Sequence, residues 1–322
     1  MSTTFHSPHS LGRRRTLAAL TVLAASTVLP GCGGGGDDTT SEAARVTDFW
    51  RRYFLAKSDR DATALAAQFA DQVVYEDNSL QMAMAGTNAF IKQQWAGLFS
   101  FVPPDPRSVL KNAVGSMTGC AVELTNEAGL FTSVPIDGLS IVDMDGSRIV
   151  RITDYWDTTG IGDQEWAGLR AGFGSNPAWQ SVVTGNHPTP ATADASLASL
   201  VGRFVEACRA GDTAGAASCL ASDARYWNRP LGIDVKGTSA ITASLQKVLS
   251  LLPDGTGVSL THVVGSDRGG GFEWLSGTAD AGVLRGATEV EVAGGLITRL
   301  AVYYDGRLIS QARRTAIKQA LT

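Results

Sequence analysis

Histidine is scarce. The chain of 322 residues holds four, and only His187 and His262 lie beyond the first forty positions. Neither has a cysteine or second histidine at ligand spacing, so the sequence implies neither a zinc site nor any other cofactor. Basic charge is also in deficit, with 27 Lys and Arg against 31 Asp and Glu. Three of the 27, Arg13, Arg14 and Arg15, stand in an N-terminal stretch that has no acid. The remaining chain carries 24 positive and 31 negative charges, a net −7, which argues against a nucleic-acid partner because binding one requires a basic stripe. Long apolar runs are absent too. The N-terminal run, Leu17 to Leu29, has 13 residues, short of the roughly 20 that a bilayer-spanning helix needs.

What is present at the N-terminus is a pattern for export. Adjacent arginines followed by Thr16, Leu17 and a short apolar run resemble a twin-arginine signal, and Leu29-Pro30-Gly31-Cys32 resembles a bacterial lipobox. Residues 1–31 then form the signal, and Cys32 becomes a lipidated first residue. Cleavage elsewhere nearby would instead leave Cys32 as a free thiol or a disulfide partner. Residues 32–41 are glycines and small polar residues, too poor in apolar side chains to fold, and read as a flexible tether. The expected location is the periplasmic side of a bacterial envelope, with membrane contact through the anchor. Cys208 and Cys219 are either a disulfide across a helical hairpin or two buried thiols; Cys120, on a predicted strand, reads as core.

The rest of the chain is written twice. A shift of 151 places Arg52, Ala56, Asp61, Ala66, Ala70, Tyr75, Leu80, Gly86, Thr87 and Ala89 on identical residues, without a gap. A shift of 148 does the same for Gly146, Ile149, Arg151, Tyr155 and Asp157. Residues 42–160 are therefore one domain, 193–322 a second, and 161–192 a connector whose Trp166 and Trp179 imply packing. Val46, Phe49, Trp50, Tyr53 and Phe54 recur at helical spacing, as do Leu197, Leu200, Val201, Phe204 and Val205. Asp61 and Asp212 are candidate N-caps of a second helix. A strand follows (73–77; 224–228), then Gly86 or Gly237 and a third helix. Asp145-Gly146 and Gly294-Gly295 mark hairpins in a strand-rich remainder. This order predicts an α+β fold, three helices on one face of a curved, mostly antiparallel sheet. Such a cone has an apolar interior suited to a small organic molecule. The two copies are expected to pack sheet to sheet as an internal pseudo-dimer.

Helix, helix, strand with Glu76-Asp77, Gly86-Thr87, helix, then long strands resembles the nuclear transport factor 2-like (SnoaL-like, cystatin-like) superfamily, over nearly all of both copies. That superfamily includes isomerases, hydrolases, cyclases and members that only bind, so the fold leaves function open. Three pieces of the first copy are similar to ketosteroid isomerase: Tyr53 on the first helix, Asp77 after Phe69-Ala70-Asp71, and Asp137 in Pro135-Ile136-Asp137. The resemblance implies a base, Asp77, that carries a carbon-bound proton. It also implies two oxyanion donors, Tyr53 and a protonated Asp137, in a dry cavity. Tyr75, Trp95, Phe99, Asp154 and Trp156 are candidate substrate-binding residues, and Phe90, Phe101, Met82 and Met84 candidate walls. In the second copy Tyr53, Asp77 and Asp137 become Phe204, Asn228 and Arg285 or its neighbour, so that copy is not expected to catalyse the same reaction.

Two departures stand beside this. Gln94 or Trp95 occupies the place of the tyrosine that supports the family's catalytic tyrosine. Asp154 in Asp154-Tyr155-Trp156-Asp157 resembles the water-activating aspartate of limonene epoxide hydrolase, but Thr125 and Glu127 lack that enzyme's arginine. The rival readings are a non-catalytic ligand- or partner-binding lipoprotein, and a hydrolase- or cyclase-like enzyme using Asp154. Asp77 could also simply cap the turn after its strand, and Asp137-Gly138 could be a hairpin corner.

Overall fold

The computed structural model describes residues 41–173, 192–276, 280 and 284–322. The expected export signal with Cys32, most of the expected tether, and Pro177, Trp179, His187, Pro188 and Pro190 of the expected connector lie outside them.

The first repeat opens with α1 (Glu42–Ser58). The Ser41 hydroxyl accepts from the Ala44 amide, and Glu42 sits at the positive end of the helix dipole. The helix buries Val46, Phe49, Trp50, Tyr53 and Phe54, a stripe worth roughly 1.5–3 kcal/mol per large side chain. Asp61 caps α2 (Ala62–Ala66) by accepting from Thr63 and Ala64 amides, as the sequence predicts. Then come β1 (Phe69–Asp77), β2 (Met82–Thr87), α3 (Asn88–Phe99) and four long strands: β3 (Ser108–Gly115), β4 (Gly119–Asn126), β5 (Ile136–Met144) and β6 (Ile149–Trp156). A further helix, α4 (Asp163–Phe173), occupies the start of the expected connector. Its Trp166 packs edge-on against Trp156.

The second repeat follows the same order: β7 (Thr192–Ala193), α5 (Ala195–Ala210), α6 (Thr213–Ser218), β8 (Leu220–Asn228), β9 (Ile233–Lys236), α7 (Thr238–Val248), β10 (Ser259–Ser266), β11 (Gly269–Leu275), β12 (Arg285–Ala293), β13 (Leu296–Tyr304) and α8 (Gln311–Leu321). Asp212 caps α6 as Asp61 caps α2. Cys208 and Cys219 are both free, buried thiols, as is Cys120, whose sulfur accepts from the Trp50 indole at 3.2 Å.

The sheets run β2-β1-β6-β5-β4-β3 and β7-β10-β11-β12-β13-β8-β9. Both are mostly antiparallel, with β1–β6 and β8–β13 the matching parallel pairs. Alternation sends Cys120, Val122, Leu124, Val142 and Ile152 into one core with α1 and α3, while Ala121, Leu139, Ile141 and Tyr155 pack against Val264, Ala287, Ala301 and Tyr303 of the other repeat. The sheets approach closely: a Cβ on Gly271 would lie 2.4 Å from the Ile141 side chain.

Ion pairs cross this contact in an exchanged pattern. Arg151 meets Glu76 at 2.9 Å and Glu273 of the second repeat at 2.8 Å, and the Tyr155 hydroxyl donates to Glu273 at 2.5 Å. In return Arg299 meets Glu123 of the first repeat at 2.7 Å, and the Tyr303 hydroxyl donates to Glu123 at 3.0 Å. Arg151 and Arg299, Tyr155 and Tyr303 are repeat equivalents, and Glu123 and Glu273 hold equivalent positions on β4 and β11. Residue i touching j while j touches i is the signature of an isologous interface.

Candidate functional site

Between the helices and sheet of the first repeat lies a cavity of about 310 Å³. Met82, Met84, Leu98, Leu124, Phe131 and Ile136 supply much of its apolar wall, and Lys57, Tyr75, Asp77 and Asp154 bring charge and hydroxyl to it.

Two carboxylates sit side by side. Asp77 ends β1 and Asp154 is its directly paired neighbour on β6, and residues paired across a ladder share a face. Asp77 is 6% exposed. Its carboxylate accepts from the Trp156 indole at 3.0 Å and from the Leu80 amide at 2.8 Å. Burial, and then the neighbouring Asp154 charge, push its pKa from 3.8 up to about 7, against the lowering pull of Leu80, Trp156 and Ser79 donors. At neutral pH this group is poised both to take and to give a proton. Asp154 is held by two hydroxyls, Tyr75 at 2.7 Å and Ser140 at 2.5 Å. Glu76, one residue away on the strand, points to the other face, where Arg151 and Thr153 bind it, as alternation predicts.

Of the expected site residues, Asp77, Tyr75, Trp95, Asp154 and Trp156 line this cavity, with Gln94, Met82, Met84 and Phe101. Four expectations need correction. Asp137 does not face the cavity: its carboxylate takes a hydrogen bond from Thr125 and an ion pair from Arg229 of the second repeat, at a half-exposed position. Its strand neighbours alternate, and the basic residue opposite draws it outward. Tyr53 is buried in the helix–sheet core against Trp50, Phe54 and Phe69 and is not among the lining residues; burial and then Asp154 raise its phenol pKa. Phe99 lies behind the wall, its ring 5.3 Å from Trp95, and Phe90 is exposed. The paired oxyanion donors therefore do not converge. The arginine-containing hydrolase set is not assembled either, since Thr125 binds Asp137 and Glu127 holds the Arg107 amide at the surface.

Lys57 was not foreseen. It is 5% exposed and lines the cavity, its ammonium 5.3–5.8 Å from the rings of Phe54, Trp95 and Phe131. The signal was there: Val46, Trp50, Tyr53 and Lys57 continue a single stripe at helical spacing, so the lysine falls on the buried face.

The second repeat shows the same floor without the paired carboxylates; a buried carboxyl there, Asp254, accepts from the Tyr226 hydroxyl at 3.0 Å. Leu124, Gly138 and Trp156 form one rung across β4, β5 and β6, and Trp274, Gly286 and Tyr304 form its counterpart. Trp274 lies flat where Gly286 makes room, since a Cβ there would come within 2.1 Å of the indole. The remaining space is about 10 Å³. Asn228 stands at the place of Asp77, its amide oxygen accepting from the Leu231 amide at 3.4 Å and the Tyr304 hydroxyl at 3.0 Å. An uncharged amide thus caps the same turn.

Two cones of helix-backed sheet, one hollow and bearing carboxylates and one filled, define a tandem α+β protein. The SnoaL-like domain family matches residues 50–152 and again 201–300, and the chain belongs to that family. No curated protein matches it. Similar solved structures include a putative ketosteroid isomerase from Kribbella flavida, 20% identical over 36% of this chain and 79% of that one, with a TM-score of 0.29. A hypothetical protein of ketosteroid isomerase-like fold from Catenulispora acidiphila, in complex with trimethylamine, is 16% identical over 40% and 98%, TM-score 0.32. A SnoaL-like protein of unknown function from Burkholderia thailandensis is 14% identical over 35% and 94%, TM-score 0.30.

Proposed function

We propose that the first repeat binds a small, flat, largely apolar carbonyl compound and moves a proton within it, as in double-bond isomerisation of an unsaturated ketone, with Asp77 as the proton carrier. One observation carries this reading. The fold needs only an acceptor at that position, which Asn228 supplies in the second repeat, yet the first repeat buries a carboxyl there, against a second carboxylate and beside an open apolar cavity. A cavity of about 310 Å³ sits at the lower end of ligand pockets and suits a one- or two-ring compound. The second repeat acts as scaffold, joined to the first as an internal pseudo-dimer.

Assay of the purified mature protein on 3-cyclohexenone tests the proposal. Asp77→Asn keeps the turn cap, and turnover is expected to fall by roughly 10²–10⁴-fold, the usual contribution of a positioned acid–base group. Equal turnover in the mutant dismisses Asp77 as the carrier. Ligand binding without turnover in the wild type would favour the passive reading, a binding lipoprotein.

The N-terminal segment is proposed to export the chain and anchor it through Cys32 at the periplasmic face, on the strength of Arg13 to Arg15, the 13-residue apolar run and Leu29-Pro30-Gly31-Cys32. Metabolic labelling with a radioactive fatty acid should mark the wild type and not Cys32→Ser; label on both would remove the anchor.

A further inference from the structure

Proton abstraction next to a carbonyl needs somewhere for the electrons to go. The expected pair of oxyanion donors does not converge in this cavity, because Asp137 is tied to Arg229 and Thr125 outside it. The lining instead includes an amine. The chain has six lysines. Five of them, Lys92, Lys111, Lys236, Lys247 and Lys318, are exposed, and Lys57 is buried. Its ammonium has no hydrogen bond or ion pair among the described residues, and three aromatic rings surround it. Burial is the largest influence on it and lowers its pKa; Asp154 and Asp77 pull partly back, and Arg60 lowers it further. A lysine desolvated among apolar side chains is the setting in which the free amine becomes a nucleophile toward carbonyl carbon. The repeat equivalent is Cys208, in the copy whose cavity is filled, so neither the fold nor the helix stripe requires an amine there.

We propose that Lys57 forms a Schiff base with the carbonyl group of the ligand, and that the resulting iminium is the electron sink for proton transfer by Asp77. This deepens the function proposed above and rests on it. The Nζ lone pair attacks the carbonyl carbon, and the nitrogen proton passes to the new alkoxide oxygen. The carbinolamine hydroxyl then leaves as water, taking a proton from the Asp77 carboxyl and giving the iminium. Asp77, now a carboxylate, removes the proton from the adjacent carbon; the C–H electron pair becomes the enamine double bond and the C=N pair returns to nitrogen. Return of that proton at a different carbon restores the iminium with the double bond moved. Water adds back, its surplus proton returning to the Asp77 carboxylate, and releases the ketone and the free amine. One water leaves and one returns, and nothing is oxidised or reduced. The ligand class is an aldehyde or unhindered ketone on one or two flat rings.

The test is reductive trapping. The mature chain is incubated with 2-naphthaldehyde and sodium cyanoborohydride at pH 7, and the product is read by intact mass and peptide mapping. One adduct per chain, on Lys57 and formed at least tenfold faster than on any exposed lysine, is the expected result. Lys57→Met and Lys57→Arg should lose it, the arginine variant keeping charge and ring contacts if the methionine variant misfolds. Asp77→Asn should slow it tenfold or more. Labelling spread over the exposed lysines, unchanged in Lys57→Arg, overturns the proposal. If Lys57→Arg also isomerises the ketone at the wild-type rate while Asp77→Asn does not, the Schiff base falls and the Asp77 function stands; if Asp77→Asn retains turnover, the underlying function falls.

Discussion

The two repeats share the order of six strands and the aspartate cap of their second helix, and differ in what fills the cone. In the first, Leu124 leaves about 310 Å³ open; in the second, Trp274 on the equivalent rung closes all but about 10 Å³. The polar floor differs in the same sense. Asp77 and Asp154 become Asn228 and Val302, so the filled copy has no paired carboxylates at that rung. Backbone strain follows suit. Arg60 and Gln81 of the first repeat hold left-handed φ values of 60° and 54°, where the second repeat has Gly211 and Gly232 at 75° and 66°. Non-glycine residues there cost stability, and Gln81 stands between Leu80 and Met82, which line the open cavity. The comparison teaches that the first repeat spends stability on a void, a pair of neighbouring carboxylates and two strained turns, whereas the second keeps a buried carboxyl in its cone, Asp254, bonded by the Tyr226 hydroxyl.

The sharpest way to break this comparison is at the shared interface. Arg151 is fully buried among Glu76, Asp143 and Glu273, whereas its counterpart Arg299 keeps 15% side-chain exposure. Removing one partner of a buried network strands the remaining charges, at roughly 3–5 kcal/mol. Arg151→Ala is therefore expected to lose about that much in urea denaturation, and Arg299→Ala less. An equal loss would mean that water reaches both sites alike.

Next in size is the pH dependence of Asp77. Its folded pKa of about 7 lies above the ordinary 3.8, so burial costs nothing below pH 3.8, where both states are protonated. The penalty grows as pH rises and is complete above about 7, reaching at most about 4 kcal/mol. Asp77→Asn should match the wild type at pH 4 and exceed it in stability at pH 8. A constant difference across that range would contradict the assigned cause.

Exchanging the fillers sharpens the contrast further. Trp274→Leu should cost roughly 2–4 kcal/mol by opening a cavity in the second repeat. Leu124→Trp should leave the protein folded and abolish 2-naphthaldehyde binding in the first, measured by fluorescence quenching; retained binding would place the ligand elsewhere. The smallest effect is expected at the turn: Gln81→Gly removes left-handed strain beside Asp77 and should raise stability by about 0.5–1 kcal/mol.

Much of this architecture was legible in the sequence because it is periodic. The stripe Val46, Trp50, Tyr53 gave α1, the aspartate caps gave α2 and α6, and Asp145-Gly146 gave the β5–β6 hairpin, where Gly146 has φ 94°. The site was only partly legible because its members come from different strands and their direction depends on partners far along the chain. Asp137 was expected inward, and Arg229, 92 residues later, holds it outward. For Lys57 the helical stripe gives the buried face, but only the cavity beside it shows what an amine there can reach. Trp274, which decides that the second cone is closed, gave no sign of its role, since a buried tryptophan on a strand is ordinary core.

Direct titration of Asp77 tests the central claim. With ¹³C-labelled aspartate, the carboxyl resonance missing in Asp77→Asn should shift in the wild type with a midpoint near pH 7. A midpoint near 4 would show a carboxylate ionised throughout the neutral range, with neither the raised pKa assigned to its burial nor a proton to give to a departing hydroxyl, and would contradict the account.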